Sequence, residues 1–471
     1  MSFNNFGELG KLLTKINKKI NEQEEKSFSV EDYYKTLKEI NKKVKIDFIT
    51  FKNLFDRFFH CKYELKKLTF EDGTNGFREL DNRFEIDEIK NKIIKVPEKY
   101  KKKEEHFQKL FNIPQPAQRT QGWFDYRNAR ITASDTAAAI DKNPYEPIES
   151  FISKKCDPNF PFRDNIYVCH GKKFEQIATL YYEHLYNNKV TEFGCLPSEK
   201  YKFLGASPDG ICSKSTLDGQ FSDRLGVMLE IKCPFSRKII NKGDTIGTIC
   251  PFYYYCQVQQ QLECCDLDQC DFWQCKIDEY KSREDYLKDV DFKPIITEGN
   301  LGEKITFNVN TAKGCLLQFL PKEYIPLFDE DKHEFKAKFV YPPRLDMNIN
   351  QYNEWIIEQI GLWSDDKYYF DKVIYWKIPF SHNVTINRDK KWFAQIFPVL
   401  EESWRKIVYY RKNPDELYKI NKIAEKRTKF YFKTDYTIAD FKVENKILFL
   451  DNNVSENKED CVIESDVLFF L

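Results

Sequence analysis

The segment Gly226-Val-Met-Leu-Glu-Ile-Lys-Cys233 constrains this chain more than any other, because it is short, mostly apolar, and places an acid and a base at alternate positions. Successive side chains of a strand point to opposite faces, so Glu230 and Lys232 share one face while Val227, Leu229 and Ile231 turn the other way into a core. A one-residue slip would exchange the two faces, so the register is tightly specified. Upstream, Ser207-Pro-Asp209-Gly210 is a turn sequence that ends or reverses a strand expected over Tyr201 to Ala206, and it holds a second carboxylate facing a pocket.

Two carboxylates and an amine in this order suit metal-dependent phosphodiester hydrolysis. Magnesium prefers hard oxygen donors, and Asp209, Glu230 and the Ile231 main-chain carbonyl make a partial shell. Lys232 then orients the attacking water or stabilises charge on the phosphate. The plain alternative is an ion pair between Glu230 and Lys232 with Asp209 as a turn residue, which is what a lone Glu-x-Lys in a lysine-rich chain generally is.

Other segments add polar groups of the right kind. Arg127 offers a planar fork of donors suited to phosphate. Ser134 and Asp135 precede the small residues Thr136-Ala-Ala-Ala139 as an N-cap would, and a helix N-terminus attracts phosphate. From Gly171 to Tyr186 the periodicity predicts a helix with Phe174, Ile177, Ala178, Tyr181 and Leu185 as its buried stripe and Glu175 beside it. His170 reads as structural. Pro251-Phe-Tyr-Tyr-Tyr255 and Leu262 frame a partly buried helix, in which Gln257 would find its partners at Lys232 and a phosphate while Gln260 faces solvent.

In chain order, Trp123-Phe-Asp-Tyr-Arg127-Asn-Ala-Arg-Ile-Thr-Ala-Ser134-Asp135, Gly171-Lys-Lys-Phe-Glu175, Ala206-Ser-Pro-Asp209-Gly210, Leu229-Glu230-Ile-Lys232-Cys-Pro234 and Tyr255-Cys-Gln257-Val-Gln259 resemble the motif blocks of the lambda exonuclease and YqaJ-type viral recombinases. That family lies within the PD-(D/E)xK nucleases. The resemblance implies an α/β, restriction-endonuclease-like core with a mixed central sheet flanked by helices. It implies that Arg127 and Ser134 bind a terminal 5′-phosphate, and that Asp209, Glu230, Glu175 and the Ile231 carbonyl hold Mg²⁺, in a two-ion arrangement that Mn²⁺ can also fill. Lys232 and Gln257 would position the nucleophile. The implied activity is a 5′-to-3′ exonuclease on duplex DNA ends, leaving 3′ single-stranded tails for recombination or repair, beside a single-strand annealing partner. A homo-oligomer is a family trait that the extra segments of this chain could block. Two alternatives stay open: an endonuclease of the same fold, and a non-catalytic DNA-binding scaffold.

The resemblance covers somewhat over half of the chain. Residues 1–112 read as a helical accessory region, 113–285 as the nuclease core, 286–368 as an insertion, 369–415 as the end of the core and 416–471 as a C-terminal tail. Within the core, Ser213 to Arg224 reads as an exposed polar loop. The 74 basic and 74 acidic side chains balance, so any contact with nucleic acid must be local. Lys101 to Lys103, Arg405-Lys406, Arg411-Lys412 and Lys422 to Lys429 are the basic strips available. The cysteines clustered at Cys250, Cys256, Cys264, Cys265, Cys270 and Cys275 contain no CxxC and alternate with core-like residues, so reduced buried thiols are expected over zinc or an iron-sulfur centre. No leader and no membrane-spanning segment is evident, and the expectation is a soluble intracellular protein, in the cytoplasm or nucleus of an infected cell if viral.

Overall fold

The structure, a computed structural model, describes residues 94–116, 118, 120–157, 166–289, 295–298, 304–307, 312–322, 336–363 and 367–433. Most of the expected accessory region and the far end of the tail lie outside the described residues, as does the terminal Val467 to Leu471 segment.

A seven-stranded sheet organises the rest. Its strands run in the order β11 (Lys338–Val340), β10 (Ala312–Pro321), β12 (Tyr368–Asn387), β7 (Gln269–Glu279), β6 (Met228–Lys232), β5 (Gly210–Cys212) and β2 (Val190–Thr191). All neighbours are antiparallel except β6 and β7, which pair in parallel from Met228↔Cys270 to Lys232↔Gln274. A parallel pair needs a crossover, and α6 (Phe252–Cys265) supplies it. A smaller sheet, β1 (Ile131–Thr132), β4 (Leu204–Ala206) and β3 (Leu196–Pro197), lies against the same helix, and β8 (Ile295–Glu298) pairs with β9 (Lys304–Phe307) apart from both. The mixed α/β class expected from the motifs is therefore the class observed. Residues 286–368, expected as an insertion, contribute β10 and β11 to the main sheet, and α8 (Ile349–Trp363) packs across β10 and β12.

Two cores lie on the two faces of that sheet, and strand alternation sorts residues between them. Met228, Cys270 and Phe272 join Val258 and Leu262 of α6, with Phe393 and Leu400 of α9 (Lys390–Lys412). Leu229, Ile231, Trp273 and Cys275 join Phe174, Ile177, Ala178 and Tyr182 of α5 (Ile166–Tyr186). Glu230 and Lys232 do share a face, as the period-two reading required. That face is covered by α6 instead of opening to solvent, so Glu230 is 0% exposed. On α5, Leu185 is 49% exposed, and Tyr182, one position off the expected stripe, is the residue buried. The clustered cysteines are buried free thiols, and all of them except Cys256 pack among the apolar side chains of these two cores.

The Ser213 to Arg224 segment is pinned to the core at its end. Arg224 pairs with the buried Asp271, and Tyr182 donates 2.7 Å to the same carboxylate. Lys101 pairs with Glu98, and Arg405 with Glu401, so these basic strips are partly neutralised within the chain. Arg411 donates to Lys155 O and Asn128 O, both at 2.7 Å.

Gly210 has a packing role. A Cβ there would overlap Val190 Cγ1 and stand 3.3 Å from Thr191 O, so β2 can close on β5 only because position 210 has no side chain. Gly210→Ala is expected to cost about 1–3 kcal/mol in urea unfolding, as overpacking does. A loss below about 0.5 kcal/mol, the range of an ordinary surface change, would show that β2 moves aside freely.

Candidate active site

The β5–β6 hairpin builds the centre. Ladder pairing ends at Gly210↔Leu229, and the next free main-chain donor on that edge, Ile231 N–H, donates to Asp209 Oδ2 at 2.6 Å. The turn carboxylate is thereby fixed beside Glu230. The Asp209 carboxyl is held well above the usual carboxylate range, first by burial and then by the Glu230 and Glu175 carboxylates, against the pull of Lys232 and the Ile231 N–H. Glu175, on α5, also acts on Cys233, so it faces the same end of β6.

Glu230 is fully engaged. Its Oε1 accepts from Lys232 Nζ and, at 2.7 Å, from Gln257 Nε2, while Oε2 accepts from Gln261 Nε2 at 2.7 Å. Gln257 and Gln261 lie one helical turn apart on α6, which puts both amides on the face over β6. Lys232 Nζ stands 4.6 Å from the Tyr254 ring centroid. Burial would draw its ammonium down, but Glu230, Tyr254 and Asp209 hold it above the ordinary lysine value. It is therefore a charged donor at neutral pH.

Asp209, Glu230 and Glu175 offer hard oxygen donors of the kind Mg²⁺ takes, and a divalent cation would reverse the repulsion that Asp209 feels from the other two. In this respect the residues fit the ion. Among the described residues, however, no three His, Cys, Asp or Glu side chains stand together as a ready ligand set. The hydrogen bonds give the reason: both Glu230 oxygens are turned to nitrogen donors.

The expected phosphate residues come together next to this centre. α2 (Gln121–Asn128) carries Arg127 in its last turn; its Nη2 donates to Ser134 Oγ at 2.8 Å, Nη1 to Ser207 Oγ at 3.4 Å, and its guanidinium lies 4.4 Å from the Trp123 ring centroid. Trp123 Nε1 also donates to Ser207 Oγ, at 3.3 Å. Ser134 is not the cap expected. Thr132 is, in a capping box whose return bond comes from Asp135, because the chain enters a tight 3₁₀ turn at Ala133–Asp135 before α3 (Thr136–Ala139). Ser134 is left free to receive the arginine.

Gln260 is likewise not at the surface. It is 0% exposed and donates to Ile131 O at 2.9 Å and Gly205 O at 3.2 Å while accepting from Thr136 Oγ1 at 2.7 Å. It ties β1, β4 and α6 together, since these main-chain carbonyls have no water to turn to. Sequence reasoning also left Ser207, Gln261 and Lys155 without roles. Ser207 opened the Pro-Asp-Gly block, and Gln261 stood one turn from Gln257, so both carried a positional signal. His170 is buried against Phe174 and Phe235, in keeping with a structural role.

Residues 122–268 match the family model described as the YqaJ-like viral recombinase domain. The chain is 39% identical over 318 residues to an uncharacterized protein of Acanthamoeba polyphaga mimivirus, covering 67% of this chain and 56% of that protein. It is 28% identical over 179 residues to a protein of African swine fever virus, covering 34% of this chain and 49% of that one. The chain spans about half the length of the curated relatives it matches. Among solved structures, it is similar to a crystal structure of an alkaline exonuclease from Laribacter hongkongensis, at 14% identity and a TM-score of 0.32, covering 66% of this chain and 100% of that one.

Proposed function

We propose, from the premise that residues 122–268 are a YqaJ-like viral recombinase domain, that this protein is a metal-dependent deoxyribonuclease that degrades duplex DNA from 5′ ends and leaves 3′ single-stranded tails for recombination or repair. The observation that carries this reading is the continuity of two half-sites. Ser207 receives Arg127 through its side chain, and two residues later Asp209 binds the strand that holds Glu230 and Lys232.

In this reading Asp209, Glu230, Glu175 and the Ile231 carbonyl hold Mg²⁺, or Mn²⁺ in its place. The ion, when bound, supplies a lowered water pKa and neutralises charge on the phosphoryl group. Lys232 presents its ammonium to the scissile phosphate, and Gln257 holds the Glu230 carboxylate in place. Arg127 and Ser134 present donors to a terminal 5′-phosphate, which sets the polarity. Double-stranded DNA ends are the substrate, and an annealing protein that accepts the exposed strand is the fitting partner. We take residues 113–285 and 369–415 as the nuclease unit. No helix among the described residues is long and apolar enough to cross a membrane.

End-labelled duplexes with and without a 5′-phosphate, and a covalently closed circle, test the reading. Rapid loss of label from the phosphorylated 5′ end and an intact circle are expected. Arg127→Ala is expected to lose the preference for phosphorylated ends, a change of about 10–100-fold in KM, as deletion of a hydrogen bond to a charged group gives. Rapid cutting of the closed circle would sink the exonuclease reading and leave an endonuclease.

A further inference from the structure

Gln261 belongs to neither half-site by motif, yet it touches both. Its side chain is 0% exposed, and its amide nitrogen donates to Glu230 Oε2 at 2.7 Å and to Ser207 O at 3.3 Å. Both partners are acceptors only, so the amide cannot be turned over: its oxygen would then face a carboxylate and a carbonyl. That oxygen is buried with no hydrogen-bond partner in the protein. Buried amides are ordinarily satisfied at both ends, as Gln260 is, and an orphan acceptor beside a carboxylate centre marks a place where a water or ion completes the shell.

We propose that Gln261 is a positioning residue with two duties, resting on the metal-dependent reading above. It holds Glu230 Oε2, so that the carboxylate keeps one orientation toward the metal. Through Ser207 it also ties that carboxylate to the arginine that reads the DNA end. The path is short and made of direct bonds: Glu230 to Gln261, Gln261 to the Ser207 carbonyl, and the Ser207 hydroxyl to Arg127 and on to Ser134. A 5′-phosphate that draws Arg127 toward itself loosens its hold on Ser207 Oγ, and Gln261 passes that change to Glu230. Gln257 lacks this reach. It bonds to Glu230 Oε1, the oxygen shared with Lys232.

The test uses the full-length chain and four proteins: the parent, Gln261→Met, Gln261→Asn, and Gln260→Met as a variant that removes a buried amide not touching Glu230. Calorimetric titration with Mg²⁺ alone, without DNA, reads metal affinity. Anisotropy with phosphorylated and unphosphorylated duplex ends in Ca²⁺ reads end discrimination. Gln261→Met is expected to weaken Mg²⁺ binding by about 10–100-fold, the usual effect of removing a group that orients a ligand. It is also expected to bring the two DNA affinities together. Gln261→Asn, too short to span Glu230 and Ser207, should behave likewise and stands in if the methionine variant does not fold. Gln260→Met should lower the melting temperature and leave both readings near the parent. Mg²⁺ affinity of Gln261→Met within about twofold of the parent overturns the proposal, as does a loss of equal size in Gln260→Met. Unchanged end discrimination overturns the link to Arg127. A parent that takes up no Mg²⁺ overturns the functional reading itself, and the inference with it, so the two failures are distinguishable.

Discussion

Lys232→Ala is expected to slow cleavage by roughly 10²–10³-fold, the effect of deleting one preorganised donor to developing charge, while duplex affinity stays within a few-fold of the parent. Its ammonium is held charged by Glu230 and Asp209 against the cost of burial, so in the proposed reaction its role is that of a fixed positive donor and not of a base that takes a proton from water. The duplex should keep its other proposed anchors, Arg127 and Ser134, which bond to each other and not to Lys232. A second consequence separates this role from simple damage. Lys232 Nζ, unlike the neutral Gln261 amide, sets a positive charge against Glu230 Oε1, so the alanine variant removes a charge that repels Mg²⁺ and should bind the ion at least as tightly as the parent. Single-turnover cleavage under saturating metal, together with calorimetric Mg²⁺ titration, reads both effects. Cleavage within about tenfold of the parent would take Lys232 out of the chemical step, and weakened metal binding would show that the ammonium organises the carboxylates instead.

The legible part of this molecule is the part governed by apolar periodicity. Alternation in β6 sorted Glu230 and Lys232 to one face and Leu229 and Ile231 to the other, helical spacing found α5, and flanking apolar residues framed α6. Periodicity identifies a buried face but says nothing about burial of polar residues, which depends on acceptors brought from far along the chain. Gln260 is a clear instance. In a run of glutamines it looks solvated, and only partners far along the chain, the carbonyls of Ile131 and Gly205 and the hydroxyl of Thr136, make its burial favourable. Gln261 and Ser207 escaped for the same reason. Their partners come from different motif blocks, and no single block records the bond between them. Ser134 shows the reverse error. It had the composition of a cap, but the Thr132–Asp135 capping box takes that place two residues earlier and releases the serine for Arg127.

The half-site proposed for phosphate rests on a buried ion cluster whose removal should be the costliest change to stability. Asp135 and Lys155 are each 6% exposed, and their 2.9 Å pair lies beneath the loop that presents Ser134. Lys155 Nζ also donates to Arg127 O at 3.0 Å and Arg130 O at 2.8 Å, so one ammonium holds the end of α2 and the 3₁₀ turn together. Burial alone would raise the Asp135 carboxyl, but Lys155, Lys154 and Arg127 hold it well below the usual carboxylate range. Lys155→Met strips away a buried counter-ion and its two hydrogen bonds to main-chain carbonyls at once, and is expected to cost about 3–5 kcal/mol in denaturant unfolding. Asp135→Asn should cost a similar amount, since it leaves Lys155 buried without its carboxylate partner, where burial already draws its ammonium below the ordinary lysine value. The sign with pH follows from the depressed carboxyl: its contribution is fully present above the unfolded value near pH 4 and is lost as pH falls through the lower folded value. Acid unfolding should therefore steepen below about pH 4 in the parent, and that component should be missing in Asp135→Asn. Lys154, at 35% side-chain exposure, is the contrast within the same cluster: Lys154→Ala should cost no more than about 1 kcal/mol, because water screens its pair with Asp135 and replaces it. Equal losses at Lys154 and Lys155 would mean that net charge, and not the buried geometry under Arg127, is what the cluster contributes.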